Sequence, residues 1–324
     1  MQSEQVFDSI KARLLNDDNL ADQYRALFTL KAIGQKGDRR AIEAICEAIQ
    51  KSSSALLKHE LAYVLGQIND SYALPHLNTI LADESQDVMV RHEAAESLGA
   101  ISNLDSLDIL KKYSADQSLD VSIRETCDIS IKKIEFDHRP GKDTDNDNEE
   151  NQIPVIDPAP ATKSSDLNAK DVKNLRDIYL NDGLPLFERY RAMFGLRNIV
   201  LNSTSSQDIH TEALNAIADG FTDKSALFRH EVAYVFGQID SPAAIPCLLK
   251  VLYDENEHEM VRHEAAETLG GLGADSKTAK DALIDFANNQ SAPKVIRDSC
   301  IVALDMLAYE QSGQFQYADG IEKA

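Results

Sequence analysis

Four histidine–glutamate pairs at matching places in the sequence are its clearest chemical signal. Five of the eight histidines are followed directly by Glu, whereas the 54 acidic residues among 324 would by chance follow only about one. Imidazole and carboxylate groups without thiolates are typical ligands of partly open, octahedral non-heme iron or manganese sites. The four pairs that recur are His59-Glu60, His92-Glu93, His230-Glu231 and His263-Glu264.

The spacing of these pairs indicates an internal repeat. In the first half, a basic residue recurs every 33 positions, at 25, 58, 91 and 124, and a similar series follows at 191, 229, 262 and 297. His59 and His230 are 171 residues apart, as are His92 and His263. The chain is therefore interpreted as two related halves of four repeats each.

The outer repeats lack the histidine. Ala26, Glu125, Ala192 and Asp298 occupy the equivalent positions, so the repeat itself does not require an imidazole there. The fifth pair, His258-Glu259, has no counterpart in the other half and is interpreted as surface charge near a helix start.

Each repeat is predicted to be a pair of helices, because apolar residues recur at spacings of three and four without sustained strand alternation. Gly66, Gly99, Gly237 and Gly270 are expected near helix C-termini, where glycine tolerates a left-handed turn. Stacked helical hairpins of this length form an all-α solenoid superhelix. The predicted domains are repeats at 1–137 and 167–311, a flexible acidic and Pro-rich linker at 138–166, and a frayed tail at 312–324.

Composition narrows the possible partners. The formal net charge of −21 argues against binding to nucleic acid or to an anionic membrane surface, and it favours a cationic partner. No apolar run approaches the length of a transmembrane helix, and the N-terminus does not resemble a signal peptide. The four scattered cysteines are typical of a reduced, cytoplasmic protein.

Packing of neighbouring helices about 8–10 Å apart can bring two imidazoles together. Consecutive residues of a helix point about 100° apart, so a histidine and its own glutamate are not expected to chelate one ion. Each half then offers two histidines and two carboxylates, and closing the halves on each other would complete the set. Eight potential ligands favour a centre with two metal ions.

The segments that carry these pairs resemble the deoxyhypusine hydroxylases, a family of HEAT-repeat di-iron monooxygenases. The resemblance covers nearly the whole chain and is strongest at KHELAYVLGQ, VRHEAAESLGA, FRHEVAYVFGQ and VRHEAAETLGG. It implies a superhelix of eight HEAT-like hairpins in two symmetric halves. It also implies a cytoplasmic enzyme with two Fe ions and O₂ as co-substrate. Its expected partners are an electron donor and translation initiation factor 5A, whose deoxyhypusine side chain would be hydroxylated to hypusine.

The same resemblance implies roles for individual residues. The iron ligands would be His59, His92, His230 and His263, together with Glu60 and Glu231, which are expected to reach across the interface between the halves. Glu93 and Glu264 would also belong to the metal site, or would instead receive the cationic amines of the substrate as catalytic residues.

Two further symmetric pairs lie one helical turn from these histidines. Met89 and Met260 come three residues before a histidine, and Tyr63 and Tyr234 come four residues after one. Either pair is expected to line the substrate channel or to pack in the core. Two other functions remain open at this stage, a bilin-lyase-like protein and a metal-free interaction scaffold, and the iron content per chain distinguishes them from the enzyme.

Overall fold

The computed structural model describes residues 2–140, 153–163, 168–202, 204–273 and 276–312. Within these ranges the regular structure is helical and no strand occurs, which confirms the predicted all-α fold. The helices are α1 (Gln2–Asn16), α2 (Leu20–Gly34), α3 (Arg39–Lys51), α4 (Ala55–Ile68), α5 (Leu74–Ala82), α6 (Val88–Ile101), α7 (Leu107–Ala115), α8 (Val121–Asp137), α9 (Ala169–Tyr179), α10 (Leu186–Leu201), α11 (Gln207–Ala218), α12 (Ala226–Ile239), α13 (Ile245–Tyr253), α14 (Glu259–Leu272), α15 (Lys277–Asn288) and α16 (Lys294–Ser312).

The second helices of the hairpins form a closed ring. Helices α2, α4, α6, α8, α10, α12, α14 and α16 each contact the next in this order, and α16 returns to contact α2 and α4. The two halves therefore meet along two seams, α8 against α10 and α12 on one side and α16 against α2 and α4 on the other. This closure makes the inner helices face a common centre.

The inner helices that carry the histidine–glutamate pairs begin at capping residues. Ser54 starts α4 and Asp87 starts α6, and each side chain accepts a hydrogen bond from a backbone N–H of the first turn. His258 occupies the same position before α14, where its Nδ1 accepts from the N–H of Met260 at 3.2 Å. The unmatched histidine of the sequence is thus a helix cap.

Glycines lie in the last turn of the inner helices, as predicted, but they permit close packing and do not adopt the left-handed conformation. A Cβ on Gly66 would lie 2.5 Å from the Ser97 hydroxyl of the next inner helix, and a Cβ on Gly99 would lie 2.7 Å from the hydroxyl of Ser130. The left-handed positions that end these helices are taken by Asn69 and Ser102. Small residues at these crossings bring successive inner helices close together.

Residues 153–163, which we call the strap, are packed against the ring and differ from the flexible linker predicted over 138–166. Gln67 of α4 pairs with both backbone groups of Ile156, at 3.1 and 2.9 Å. Asp157 forms a bidentate ion pair with Arg197 of α10, both contacts at 2.8 Å. The strap thus contacts the first half through Ile156 and the second half through Asp157, and this acidic, Pro-rich segment is packed against the ring. Residues 141–152 and 164–167, and the predicted tail after Ser312, lie outside the described residues.

Candidate metal centre

The four repeated histidines converge at the centre of the ring. Within each half the ring centroids are 5.4 Å apart, for His59 and His92 and for His230 and His263. Across the halves, His59 lies 5.1 Å from His263, and His92 lies 5.5 Å from His230. All four side chains are buried. Helices α4, α6, α12 and α14 thus bring together residues up to 204 positions apart in the chain.

Two of the four paired glutamates lie next to an imidazole from the neighbouring helix. Glu93 Oε2 of α6 is 3.2 Å from His59 Nε2 of α4. In the other half, Glu264 Oε2 of α14 is 3.5 Å from His230 Nε2 of α12. The same contact therefore occurs twice, once in each half, between consecutive inner helices.

These contacts create groups of donor atoms that could hold a metal ion. The donor atoms of His59, His92 and Glu93 lie within 4.8 Å of one another, and so do those of His59, His230 and His263. His92 and Glu93 are consecutive, so the expectation that a histidine and its own glutamate diverge too far is wrong at this position. Both side chains reach His59, which lies on the adjacent helix.

Glu60 and Glu231, expected to be ligands that cross the interface, are buried close to the centre. Burial, together with the charges of Glu264 and Glu93, raises the pKa of Glu60 to about 7, against the opposing effects of His59 and Lys31. Within the described part of the chain, no contact below 4 Å joins either glutamate to a histidine. Glu231 Oε1 has no hydrogen-bond partner among those residues.

The chemistry of the buried groups fits a cation. Both ring nitrogens of all four histidines are buried and form no hydrogen bond among the described residues. Burial lowers the pKa of His59, His92 and His263, which keeps these imidazoles neutral and able to donate a lone pair. Burial and the charge of Glu264 raise the pKa of Glu93 to about 8, against the opposing effect of His230. Buried polar atoms without partners are costly, and a metal ion would satisfy them.

Comparison with known proteins identifies the family. The chain matches the HEAT-repeat family over residues 7–89, 42–126 and 209–305. A deoxyhypusine hydroxylase of Cryptococcus neoformans is 45% identical over 98% of this chain and 90% of its own length. One of Schizosaccharomyces pombe is 44% identical over 97% and 95%. The solved structure of human deoxyhypusine hydroxylase in complex with glycerol is 41% identical, with a TM-score of 0.82 over 95% of this chain and 98% of that chain.

The chain belongs to the deoxyhypusine hydroxylase family. The predicted resemblance is confirmed, and with it the prediction of an oxidoreductase enzyme built from HEAT repeats. The alternatives of a bilin-lyase-like protein and of a metal-free scaffold are not favoured, because these relatives match almost the full length of the chain. Among the described helices, none combines the length and the apolar character needed to cross a membrane.

Two further carboxylates at the centre were not predicted from the sequence. Glu96 and Glu267 lie four residues after His92 and His263, and Glu267 Oε1 is 3.9 Å from His263 Nδ1. Burial, Glu93 and neighbouring acids raise the pKa of Glu96 to about 8. The signal was present, since both segments read His-Glu-Ala-Ala-Glu, and residues four apart share one face of a helix.

A cavity of about 610 Å³ opens beside the centre, at the N-terminal ends of the inner helices. Met89 and Met260 both line it, one from each half. Acidic side chains predominate among its charged residues, which include Asp87, Glu255 and Glu259. Tyr63 and Tyr234 do not line this cavity, and their hydroxyls instead share a hydrogen bond of 3.0 Å between the two halves.

Proposed function

We propose that this chain is a deoxyhypusine hydroxylase that binds two iron ions and uses O₂ to hydroxylate the deoxyhypusine side chain of eukaryotic translation initiation factor 5A. The observation that carries the proposal is the convergence of four buried imidazoles at the interface of two matching halves, whose ring nitrogens form no hydrogen bond among the described residues. The names of relatives that cover nearly the full chain support the same substrate class.

We propose that each half holds one iron ion with two histidines and one glutamate. One set is His59, His92 and Glu93, and the other is His230, His263 and Glu264. The sequence favoured Glu60 and Glu231 for this role. The short contacts of Glu93 and Glu264 with imidazole nitrogens support the revised assignment. When bound, the iron ions would supply the activation of O₂ that inserts an oxygen atom into an unactivated C–H bond.

Glu60 and Glu231 would then bind the secondary amine of deoxyhypusine, a lysine extended by an aminobutyl group. Both carboxylates are buried beside the centre without a short contact to a histidine among the described residues. A cationic amine entering the site would restore their ionised form, because a nearby positive charge lowers the pKa of a carboxyl group. Substrate binding and ionisation of these glutamates would therefore favour each other.

The acidic cavity would admit the substrate side chain. Asp87, Glu255 and Glu259 at its wall attract a positive charge, and Met89 and Met260 provide an apolar passage for the carbon chain. The opposite end of the centre lies near the hydrogen-bonded Tyr63 and Tyr234. The buried surroundings would exclude bulk water from the reacting carbon. An external electron donor completes the reaction.

Iron analysis of histidine variants tests this function. We expect about two iron ions per wild-type chain and conversion of a deoxyhypusine-containing factor 5A to the hypusine form. His59→Ala, His92→Ala, His230→Ala and His263→Ala should each lower iron content and abolish hydroxylation while circular dichroism shows unchanged helicity.

The off-register pair supplies the matched control. Glu259→Ala should leave the iron content close to that of the wild type, because Glu259 is not part of either ligand set. A wild-type chain that binds no iron and hydroxylates nothing, although correctly folded, would contradict the proposed function.

A further inference from the structure

The cavity beside the metal centre is one-sided, although the centre itself is nearly symmetric. Its middle is lined by counterparts from the two halves, Met89 of α6 and Met260 of α14. From there it reaches the seam between α4 and α16, where its walls include Ser53, Ala55, Val295 and Asp298. Among the described residues, none from α8 or α12, which form the equivalent seam on the other side, lines this cavity.

A direct contact between the halves occupies the equivalent place in the α8–α12 seam. Ser225, which caps α12, donates from its hydroxyl to Glu125 Oε2 of α8 at 2.6 Å. The Asp223 carboxylate accepts from the N–H of Ser225 at 2.8 Å and pairs with the buried Arg189 of α10. A chain of contacts from Arg189 to Glu125 thus joins the halves at the place that corresponds to the open side of the cavity.

The α4–α16 seam has different residues at the same repeat positions. Ser52 replaces Asp223, and Asp298 replaces Glu125. Asp298 is one methylene group shorter than a glutamate, and it pairs with Lys294, which lies one turn earlier on its own helix. These differences account for the opening of the cavity on this side of the ring.

The size and charge of the cavity match a polypeptide segment that carries a cationic side chain. Its volume of about 610 Å³ is in the range that encloses a drug-sized ligand, which is more than one extended side chain requires. The carboxylates of Asp87, Glu255 and Asp298 on its wall attract a positive charge. Because Ser53 is exposed, the wall continues to the protein surface, where the main chain beside the cationic residue would lie.

We propose that the substrate polypeptide docks across the α4–α16 seam, and that its deoxyhypusine side chain reaches the centre from that side, past Met89 and Met260. This inference rests on the proposed function, and it gives the nearly symmetric centre a single substrate orientation. The α8–α12 seam, where Ser225 contacts Glu125, does not receive the polypeptide.

Two alanines at equivalent positions test this orientation. Ala55 and Ala226 each begin an inner helix and are half-buried, but of the two only Ala55 lines the cavity. On iron-loaded protein, Ala55→Trp should weaken binding of a factor 5A peptide that carries deoxyhypusine by about tenfold or more, because the indole occupies space that the peptide needs. Ala226→Trp should change this affinity by less than about twofold. Calorimetry measures the affinities, and iron analysis and circular dichroism check that both variants are loaded and folded.

Fluorescence provides a second, independent measurement. The chain contains no tryptophan, so a single introduced indole reports on its own surroundings. Ser53→Trp places this indole at the exposed edge of the cavity, and saturating peptide should change its emission. Lys224→Trp, at the exposed counterpart beside α12, should show no change in emission. This pair decides the outcome if Ala55→Trp loses iron or helicity.

Three results would overturn the inference. They are a loss of affinity in Ala226→Trp equal to or larger than that in Ala55→Trp, no loss in either variant, and an emission change confined to Lys224→Trp. Hydroxylation of factor 5A and iron content of the wild type are measured separately. A wild type that binds iron and hydroxylates factor 5A would still support the proposed function, whereas a folded wild type that does neither would contradict that function itself.

Discussion

At the scale of the residue, the centre depends on which carboxylate faces which imidazole. Glu93 and Glu264 lie beside a histidine of the preceding inner helix, at 3.2 and 3.5 Å. Glu60 and Glu231 are equally buried but make no such contact among the described residues. Four glutamates in identical sequence motifs therefore divide into two environments.

Substitution of these glutamates separates ligands from substrate contacts. Glu93→Gln and Glu264→Gln should each lower iron content by about one ion per chain, because a neutral amide is a weaker ligand than a carboxylate. Glu60→Gln and Glu231→Gln should keep iron and weaken binding of a peptide that carries deoxyhypusine. Iron analysis and calorimetry on the same preparations provide both measurements. The opposite pattern would restore the ligand role that the sequence favoured for Glu60 and Glu231.

The hydroxyl pair of Tyr63 and Tyr234 is a second residue-scale contact between the halves. Tyr63→Phe should lower the free energy of unfolding of the metal-free protein by about 1 kcal/mol, because it removes one hydrogen bond and leaves the half-buried Tyr234 hydroxyl without this partner. Tyr72→Phe removes an exposed hydroxyl that donates to Glu43 and should change the free energy of unfolding by less than about 0.5 kcal/mol. Urea unfolding measures both changes, and equal effects would show that the pair between the halves adds no stability.

At the scale of the element, the strap joins the halves on the side where Gln67 and Gln238 lie. Gln238 Nε2 contacts the same Asp157 carboxylate that pairs with Arg197. Arg197 is fully buried, and the Asp157 carboxylate pairs with its charge. The strap thus supplies a carboxylate partner to an arginine of an inner helix.

Asp157→Ala should destabilise the protein by about 3–5 kcal/mol, because it leaves the guanidinium of Arg197 buried without its charge partner. Deletion of several residues within 143–150 of the same predicted linker should leave stability, iron content and activity near wild type. Thermal unfolding with iron analysis compares the two variants. A deletion that abolishes activity while iron remains bound would show that this segment contacts the substrate.

At the scale of the whole molecule, two seams between the halves close the ring of inner helices, and the histidine centre lies between these seams. A metal ligand set present only in the closed arrangement stabilises that arrangement. Removing iron with a chelator should therefore increase the radius of gyration measured by small-angle scattering, and adding iron back should reverse the change. Identical scattering with and without iron would show that the seams and the strap suffice to keep the ring closed.

Because of the buried carboxyl groups, we expect a rise in pH to lower the stability of the metal-free protein and to raise its affinity for iron. The pKa values of Glu93 and Glu96 rise to about 8 in the folded metal-free protein, so the folded state binds more protons than the unfolded state between their ordinary pKa of 4.5 and 8. The protonated forms of these groups therefore contribute stability to the folded metal-free protein at low pH, and this contribution is lost as pH rises through 8.

Above about pH 7.5 the unfolded chain binds few protons at histidine, whose ordinary pKa is about 6.5, so the carboxyl groups dominate this dependence. From about pH 7.5 to 8.5 the melting temperature of the metal-free protein should fall, whereas iron affinity should rise because fewer protons must be released on binding. Calorimetry at several pH values in this window measures both. Glu96→Gln should make the melting temperature of the metal-free protein depend less on pH. A melting temperature that rises with pH in this window would contradict the raised pKa values of Glu93 and Glu96.

The sequence by itself determined the helical repeat, the two matching halves and the four histidines of the centre. These features depend on periodicity and on recurrence along the chain, which are local properties that do not require the ring to be known. The resemblance to the deoxyhypusine hydroxylases rested on the same segments. Glu96 and Glu267 could also have been predicted from the sequence, since each lies one helical turn after a repeated histidine.

Only the tertiary structure decided which glutamates lie beside the imidazoles and how the strap packs. These outcomes depend on distances between helices that are far apart in sequence. Glu93 reaches His59 because small residues let α4 and α6 pack closely, and Asp157 becomes buried because Arg197 is positioned to neutralise it.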